Sequence, residues 1–129
     1  MPRILIIDDD DPYRATVRKM LEKAGYDDIE EAANGKIGMK IFRRQPFDLV
    51  ITDMIMPDQE GIETIRELIR TDPRIKIIAI SGGGRMAPQG YLEMAVNLGA
   101  HRTLAKPFQK ADLIEMVQAL LIETKPQTI

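Results

Sequence analysis

Short apolar runs alternate with stretches of helical periodicity along the chain. The apolar runs that predict strands cover residues 4–7, 28–32, 47–52, 75–80 and 102–105. Between and after them, apolar side chains recur at helical spacing within residues 12–24, 35–42, 62–69, 92–98 and 113–121. Strands that alternate with helices in this way predict an α/β fold, in which right-handed crossovers build a mostly parallel sheet with helices on both faces.

Several local signals support these segments. Pro12 suits the first turn of the first helix, and Gly25 can end that helix. The dipeptide at 34–35, Asn-Gly, predicts the start of the next helix. The run at 28–32 contains two glutamates, so we expect it to be an exposed edge strand.

Polar side chains follow four of the predicted strands directly. In chain order they are Asp8 with Asp9, then Asp53, Ser81 and Lys106. The carboxyl ends of parallel strands meet at one edge of a sheet, where open α/β folds bind their ligands, so these side chains can form one site. Asp10 and Asp11 extend the acidic run, but we predict that they form a solvated turn and a helix cap.

Composition narrows the possible classes of protein. The chain has 129 residues, 44% hydrophobic and 29% charged, which predicts one globular domain over residues 1–123, with 124–129 as a tail or the start of a linker. A formal charge of −2 gives no basic field for nucleic acid. There is no membrane-length apolar run and no signal-peptide pattern, so a cytoplasmic location is the default.

Cysteine and histidine usage points away from soft metal sites. The chain has no cysteine and one histidine, which excludes disulfides and thiolate sites and argues against zinc. We expect that histidine, His101, to be a solvated loop residue. Twenty carboxylates leave room for a hard cation, and three of them against one lysine at the sheet edge favour Mg²⁺, with Mn²⁺ or another divalent cation possible.

A phosphoryl group would fit this set of residues. It could lie between the cation on one side and Lys106 with the Ser81 hydroxyl on the other, with a carboxylate as the nucleophile. The glycines at 82–84 suggest a phosphate-binding loop as an alternative, but the lysine and hydroxyl residue of that motif are missing at the required spacing. We therefore interpret residues 82–90 as a flexible loop.

Four motifs in order resemble the receiver domain of two-component response regulators. They are Asp8-Asp9 after an apolar strand, the segment 53–61, Ser81 after the next strand, and Lys106-Pro107-Phe108. The similarity covers residues 2–123 and is strongest to stand-alone chemotaxis regulators. It implies a doubly wound, flavodoxin-like (βα)5 three-layer sandwich, a parallel five-stranded sheet in the order 2-1-3-4-5, and a cis bond between Lys106 and Pro107.

The resemblance also implies roles for individual residues. Asp53 would accept a phosphoryl group from a phosphohistidine of a histidine kinase or a phosphotransfer protein. Lys106 would contact a phosphoryl oxygen, and Ser81 would move towards it. The implied ligands of Mg²⁺ are Asp8, Asp9, Asp53 and the main-chain carbonyl of Ile55.

The resemblance further implies a phosphorylation-controlled binding module. Such a protein gains and loses its own phosphoryl group and is not a turnover enzyme for an external substrate. Its output would come from a partner that binds the surface formed by residues 91–122. We expect no direct nucleic-acid binding, no membrane insertion, and a monomer or a phosphorylation-dependent dimer.

The sequence departs from the family pattern at three places. Many receivers have Tyr or Phe three positions before the lysine, where this chain has Thr103. The loop at 82–90 is longer and richer in glycine than is usual. Ile55, two residues after Asp53, is apolar where many relatives are polar.

Two alternative functions remain at this stage. A Mg²⁺-dependent phosphatase of the haloacid dehalogenase type would use acids two apart after the first strand, as Asp8 and Asp10 are, although Asp11-Pro12 replaces the residues expected next. A degenerate receiver that binds partners without phosphorylation is suggested by Thr103, while the intact Asp53 and Lys106 argue against it.

Overall fold

The structure, a computed structural model, describes residues 2–54, 60–81, 93 and 96–123. Its parallel strands are β1 (Ile4–Ile7), β2 (Ile29–Ala32), β3 (Leu49–Asp53), β4 (Lys76–Ser81) and β5 (Arg102–Ala105). They form one sheet in the order β2-β1-β3-β4-β5. The α/β class and the strand order implied by the resemblance are both confirmed.

Four helices have defined bounds within the described residues. They are α1 (Asp11–Lys23), α2 (Gly35–Arg44), α3 (Glu60–Thr71) and α4 (Lys110–Glu123). A further predicted helix, within 92–98, falls partly outside the described residues, but residues 93 and 96–98 are helical. Ile55, the loop at 82–90 and the tail at 124–129 also lie outside them.

The alternation of side chains along β1 builds two cores. All four β1 residues are buried, because the strand lies between β2 and β3 and both its faces are covered. Leu5 and Ile7 face a core shared with α2 and α3, whereas Ile4 and Ile6 face a core shared with α1 and α4. The result is a sheet with helices on both faces, as the sequence pattern predicted, and the three-layer sandwich that the resemblance implied.

The ends of the first two helices follow the capping signals in the sequence. The Asp10 carboxylate accepts a hydrogen bond from the Tyr13 amide at 3.1 Å and caps α1, as predicted. Asn34 caps α2 by accepting from the Ile37 amide at 2.8 Å. Gly25 follows α1 with a φ of +98°, a conformation that few other residues adopt. These caps fix where each helix leaves the sheet edge.

Edge strand β2 and the last helix α4 also match their predictions. β2 lies at one edge of the sheet, and its two glutamates are exposed or half-buried between buried ends. The residues predicted to face the core from α4 are all buried, namely Leu113, Val117, Leu120 and Leu121. Helical spacing of apolar side chains was therefore a reliable guide to the covered face of α4.

Exposure differs from the sequence pattern at three residues. His101 is half-buried rather than solvated, because its Nδ1 accepts a hydrogen bond from the Ile77 amide at 3.3 Å and its own amide donates to the Ile77 carbonyl at 2.9 Å. It therefore links the start of β5 to β4. Ile37 and Val96, which fit the helical patterns of their segments, are exposed.

None of the helices within the described ranges is long and apolar enough to cross a membrane.

Candidate functional site

Three carboxylates converge at the carboxyl edge of the sheet. β1 pairs with β3 so that Ile7 lies beside Thr52, and the next residues, Asp8 and Asp53, therefore lie side by side at the carboxyl edge of the sheet. Asp8, Asp9 and Asp53 each place a carboxylate oxygen within 4.8 Å of the others. Asp8 is 3% exposed and Asp53 is 4% exposed, while Asp9 lies at the exposed rim.

The Lys106 ammonium lies between the two buried carboxylates. It donates to Asp8 Oδ2 at 3.0 Å and to Asp53 Oδ2 at 3.3 Å, and its side chain is only 11% exposed. The Lys106 amide donates to the Ser81 carbonyl at 2.8 Å, which continues the pairing of β4 with β5 up to the lysine. Backbone pairing thus fixes the point from which the lysine side chain starts.

Ser81 reaches the same edge on β4. It is the last residue of that strand, is fully buried, and pairs with Ala105 of β5. On the other side of β4, Asp53 of β3 pairs with Ile80, so Ser81 lies one residue beyond the position that faces Asp53. The sequence prediction that Asp8, Asp9, Asp53, Ser81 and Lys106 share one edge therefore agrees with the structure.

The charges at this edge are not balanced. Burial alone lowers the pKa of Lys106, but the hydrogen bond to Asp8 and the charge of Asp53 outweigh it and leave that pKa above its ordinary value. Partial burial, followed by the neighbouring charge of Asp8, raises the pKa of Asp9. The ammonium thus stays charged, while the ionised form of Asp9 is disfavoured in the fold.

These residues fit a hard divalent cation. The donors are carboxylate oxygens on three residues, and three negative charges against one positive charge leave a formal charge of −2. Asp8 is held in place, since its Oδ1 accepts from the Asp10 amide at 2.9 Å while Oδ2 accepts from Lys106. Carboxylates that are fixed before binding lower the entropic cost of holding a cation.

Sequence reasoning missed a second set of charged residues beside the site. Arg14 on α1 donates to the main-chain carbonyl of Asp8 at 2.6 Å and pairs with Glu31 on β2 at 2.9 Å. Arg18, one turn further along α1, pairs with the other oxygen of Glu31 at 2.9 Å. The signal was present in the i, i+4 spacing of the arginines, but only the pairing of β1 with β2 shows that Glu31 faces them.

Replacement of Glu31 by glutamine is expected to destabilise the protein by about 1 kcal/mol at pH 7, because two guanidinium groups lose one partner. Burial raises the pKa of Glu31, but hydrogen bonds from Arg18 and Arg14 outweigh it and lower that pKa overall. A lowered folded-state pKa gives stability that is present above the ordinary glutamate pKa of about 4.3 and is lost as the pH falls through the folded value.

Urea unfolding of wild type and Glu31→Gln between pH 3 and pH 7 measures this difference. The difference in unfolding free energy between wild type and Glu31→Gln is expected to shrink as the pH falls. Glu30→Gln is the matched control, because Glu30 is the exposed neighbour on the same strand. A gap of the same size at every pH would contradict the assigned role of the carboxylate charge.

Comparison with known proteins identifies the family. A sequence model described as the response regulator receiver domain matches residues 4–118. The chain belongs to this family. It is 34% identical to the chemotaxis protein CheY of Thermotoga maritima, covering 88% of this chain and 92% of that protein. It is also 34% identical to the response regulator receiver protein CpdR of Brucella abortus, covering 95% of this chain and 98% of that protein.

A solved receiver structure shares the fold. The CheY-like receiver domain protein of Methanospirillum hungatei superposes with a TM-score of 0.83 at 30% identity, covering 95% of both chains. The present chain therefore has the CheY-like receiver fold that the resemblance implied. The Lys106–Pro107 bond is cis, as the resemblance also implied.

The phosphatase alternative is not favoured. It needs Asp10 to act beside Asp8, but the Asp10 side chain is exposed and caps α1, so it is not part of the carboxylate group. The third carboxylate of the group comes instead from Asp53 on β3. The predicted main-chain ligand at Ile55 lies outside the described residues and remains a prediction.

Proposed function

We propose that Asp53 accepts a phosphoryl group in the presence of Mg²⁺ and that the resulting aspartyl phosphate switches the binding of a partner. The observation that carries this proposal is the position of Lys106, whose ammonium bridges Asp53 and Asp8 beside a third carboxylate. An ammonium at this place can follow the negative charge from the Asp53 carboxylate to the phosphoryl oxygens when the carboxylate becomes an acyl phosphate.

The reaction exchanges one bond for another. A carboxylate oxygen of Asp53 attacks the phosphorus of a phosphohistidine, the P–N bond breaks, and the released imidazole takes up a proton. Lys106 stays within reach of the phosphoryl oxygens, and the buried Ser81 at the end of β4 supplies a hydroxyl at the same edge. Bound Mg²⁺ would offset negative charge on the transferred group.

Asp8 and Asp9, with Asp53, are the proposed ligands of the cation, and the main-chain carbonyl of Ile55 is the fourth proposed ligand. The two aspartates after β1 contribute charge and position, while Asp53 is the residue that reacts. Mn²⁺ satisfies the same oxygen donors. This division of roles is the one that the family resemblance implies, and it is supported by the contact of Lys106 with both Asp8 and Asp53 and by the position of Asp9 at the rim.

The proposed donor is a histidine kinase or a histidine phosphotransfer protein in the cytoplasm. The proposed output is a change in affinity for a separate protein, with no turnover of an external substrate and no direct contact with nucleic acid. The proposal of a separate partner follows the similarity to the CheY relative, of which this chain covers 92%. A net charge of −2 gives no general attraction to a polyanion.

The test is chemical phosphorylation of the wild-type protein. Incubation with acetyl phosphate and Mg²⁺ is expected to add one phosphoryl group, measured by intact mass spectrometry. Peptide mapping after borohydride trapping is expected to place the group on Asp53. The same incubation with EDTA in place of Mg²⁺ is the control and is expected to give little or no adduct.

Three outcomes would contradict the proposal. An adduct on a residue other than Asp53 would refute the assigned acceptor. Equal labelling with Mg²⁺ and with EDTA would refute the role of the cation. Steady hydrolysis of unrelated phosphate esters, lost in Asp8→Asn, would instead support a phosphatase.

A further inference from the structure

The Lys106 ammonium has a third neighbour that the proposed chemistry has not used. Its Nζ lies over the ring of Tyr13, 4.2 Å from the ring centroid. The face of an aromatic ring carries partial negative charge and attracts a cation, most strongly where both are shielded from water. The lysine side chain is 11% exposed and the tyrosine is half-buried, so this contact is largely shielded.

Tyr13 is held at this place from two directions. Its amide donates to the Asp10 carboxylate at 3.1 Å, which fixes the backbone of Tyr13 in the first turn of α1. Its ring meets the ring of Phe108 edge to face, with centroids 5.6 Å apart and an interplanar angle of 67°. Both rings pack against the core on the α1 and α4 side of the sheet. Tyr13 and Phe108 are called the aromatic pair below.

The Tyr13 ring limits the positions that the Lys106 ammonium can take. Asp8 and Asp53 attract Nζ along the sheet edge, and the Tyr13 ring covers another side of it. A lysine side chain is otherwise free to rotate about four bonds and loses entropy when it is fixed. A ring that attracts the ammonium reduces the number of positions that it samples before phosphoryl transfer.

We propose that Tyr13 is a positioning residue that holds the Lys106 ammonium against Asp53 for phosphoryl transfer, with Phe108 fixing the orientation of the Tyr13 ring. This inference rests on the proposed function. Because the interaction uses the face of the ring, it requires an aromatic side chain and not the tyrosine hydroxyl. Phenylalanine should therefore replace Tyr13, whereas leucine, which is apolar but has no ring, should not.

The experiment compares the rate of phosphorylation by acetyl phosphate at saturating Mg²⁺ in wild type, Tyr13→Phe and Tyr13→Leu. The rate for Tyr13→Leu is expected to fall about three- to tenfold, the size of a partly shielded cation–π contact. Tyr13→Phe is expected to keep a rate close to wild type. Tyr26→Leu is the matched control, since Tyr26 packs against the same core and is expected to leave the rate unchanged.

A second measurement does not depend on the variants folding. In wild-type protein without acetyl phosphate, the Hε protons of Lys106 are expected to show an upfield NMR ring-current shift, because the Tyr13 ring lies beneath the ammonium. Ordinary chemical shifts for these protons would overturn the contact. Circular dichroism and thermal unfolding of each variant separate a loss of rate from a loss of structure.

Different results would refute the role of Tyr13 and the proposed function. If wild type is labelled on Asp53 and folded Tyr13→Leu is labelled equally fast, the positioning role is refuted and the proposed function stands. If Tyr13→Phe is as slow as Tyr13→Leu, the hydroxyl and not the ring face is responsible, which also refutes the inference. If wild type is not labelled at all, the proposed function fails.

Discussion

Asp53→Asn is expected to remove labelling by acetyl phosphate completely, because an amide oxygen does not attack phosphorus as a carboxylate does. The substitution keeps the shape of the side chain at the end of β3 and leaves the Lys106 hydrogen bond to Asp8 in place. It also removes one of three clustered negative charges. We therefore expect a folded protein that is not phosphorylated, with weaker affinity for Mg²⁺.

Labelling is measured as intact mass after incubation with acetyl phosphate and Mg²⁺. The affinity for Mg²⁺ is measured from the thermal unfolding temperature at increasing Mg²⁺ concentrations. Asp10→Asn is the matched control, because Asp10 belongs to the same acidic run but caps α1, and asparagine caps helices as well as aspartate does. This control should be labelled like wild type. A phosphoryl adduct that persists in Asp53→Asn would refute the assignment of the acceptor.

Lys106→Met is expected to have the largest effect on stability. The change removes the ammonium that bridges the buried carboxylates of Asp8 and Asp53, next to the third carboxylate of Asp9. Removal of one partner from a buried ion pair costs about 3–5 kcal/mol, and we expect about 3 kcal/mol here because Asp9 opens the site to water on one side. Labelling by acetyl phosphate should also slow strongly.

Urea unfolding in EDTA measures the loss, and repeating it with Mg²⁺ tests its cause. A divalent cation replaces part of the missing positive charge, so the gap between wild type and Lys106→Met should narrow when Mg²⁺ is added. Lys110→Met is the control, because that lysine is exposed at the start of α4. Equal stability of Lys106→Met and wild type in EDTA would contradict the proposed charge balance.

The two variants separate the loss of the phosphoryl acceptor from the loss of its positive counter-charge. Asp53→Asn removes the acceptor while the lysine and Asp8 stay together, and Lys106→Met removes the counter-charge while the acceptor stays intact. A protein in which Asp53 is modified without help from its neighbours would lose labelling only in the first variant. If the residues of the site act together, Asp53→Asn should abolish labelling and Lys106→Met should slow it strongly.

Much of the fold could be predicted from the sequence because its signals are local. The run 102–105 was predicted as a strand with the bounds that β5 has, and 28–32 was recognised as an edge strand from its glutamates. Strand and helix periods depend on neighbouring residues, so a single sequence contains them. The shared edge of Asp8 and Asp53 followed from one rule about parallel strands.

Details of the site could not be predicted in the same way. Lys106 and Asp8 are 98 positions apart, and their 3.0 Å contact depends on the strand order and register between them. The contact of Tyr13 with Lys106 depends in addition on how α1 lies against the loop after β5. His101 shows the same limit, because only its position beside Ile77 of β4 turns a loop residue into a hydrogen-bond acceptor.

The sequence by itself thus determined the elements, the family and the residues that end the strands. Only the tertiary structure decided which side chains touch: the Asp10 carboxylate caps α1 and is not part of the carboxylate group, Arg14 donates to the Asp8 carbonyl, and the Tyr13 ring of the aromatic pair covers the lysine ammonium. The physical reason is range. Backbone conformation and amphipathic spacing are set within a few residues, whereas contacts between elements are set by packing of the whole chain.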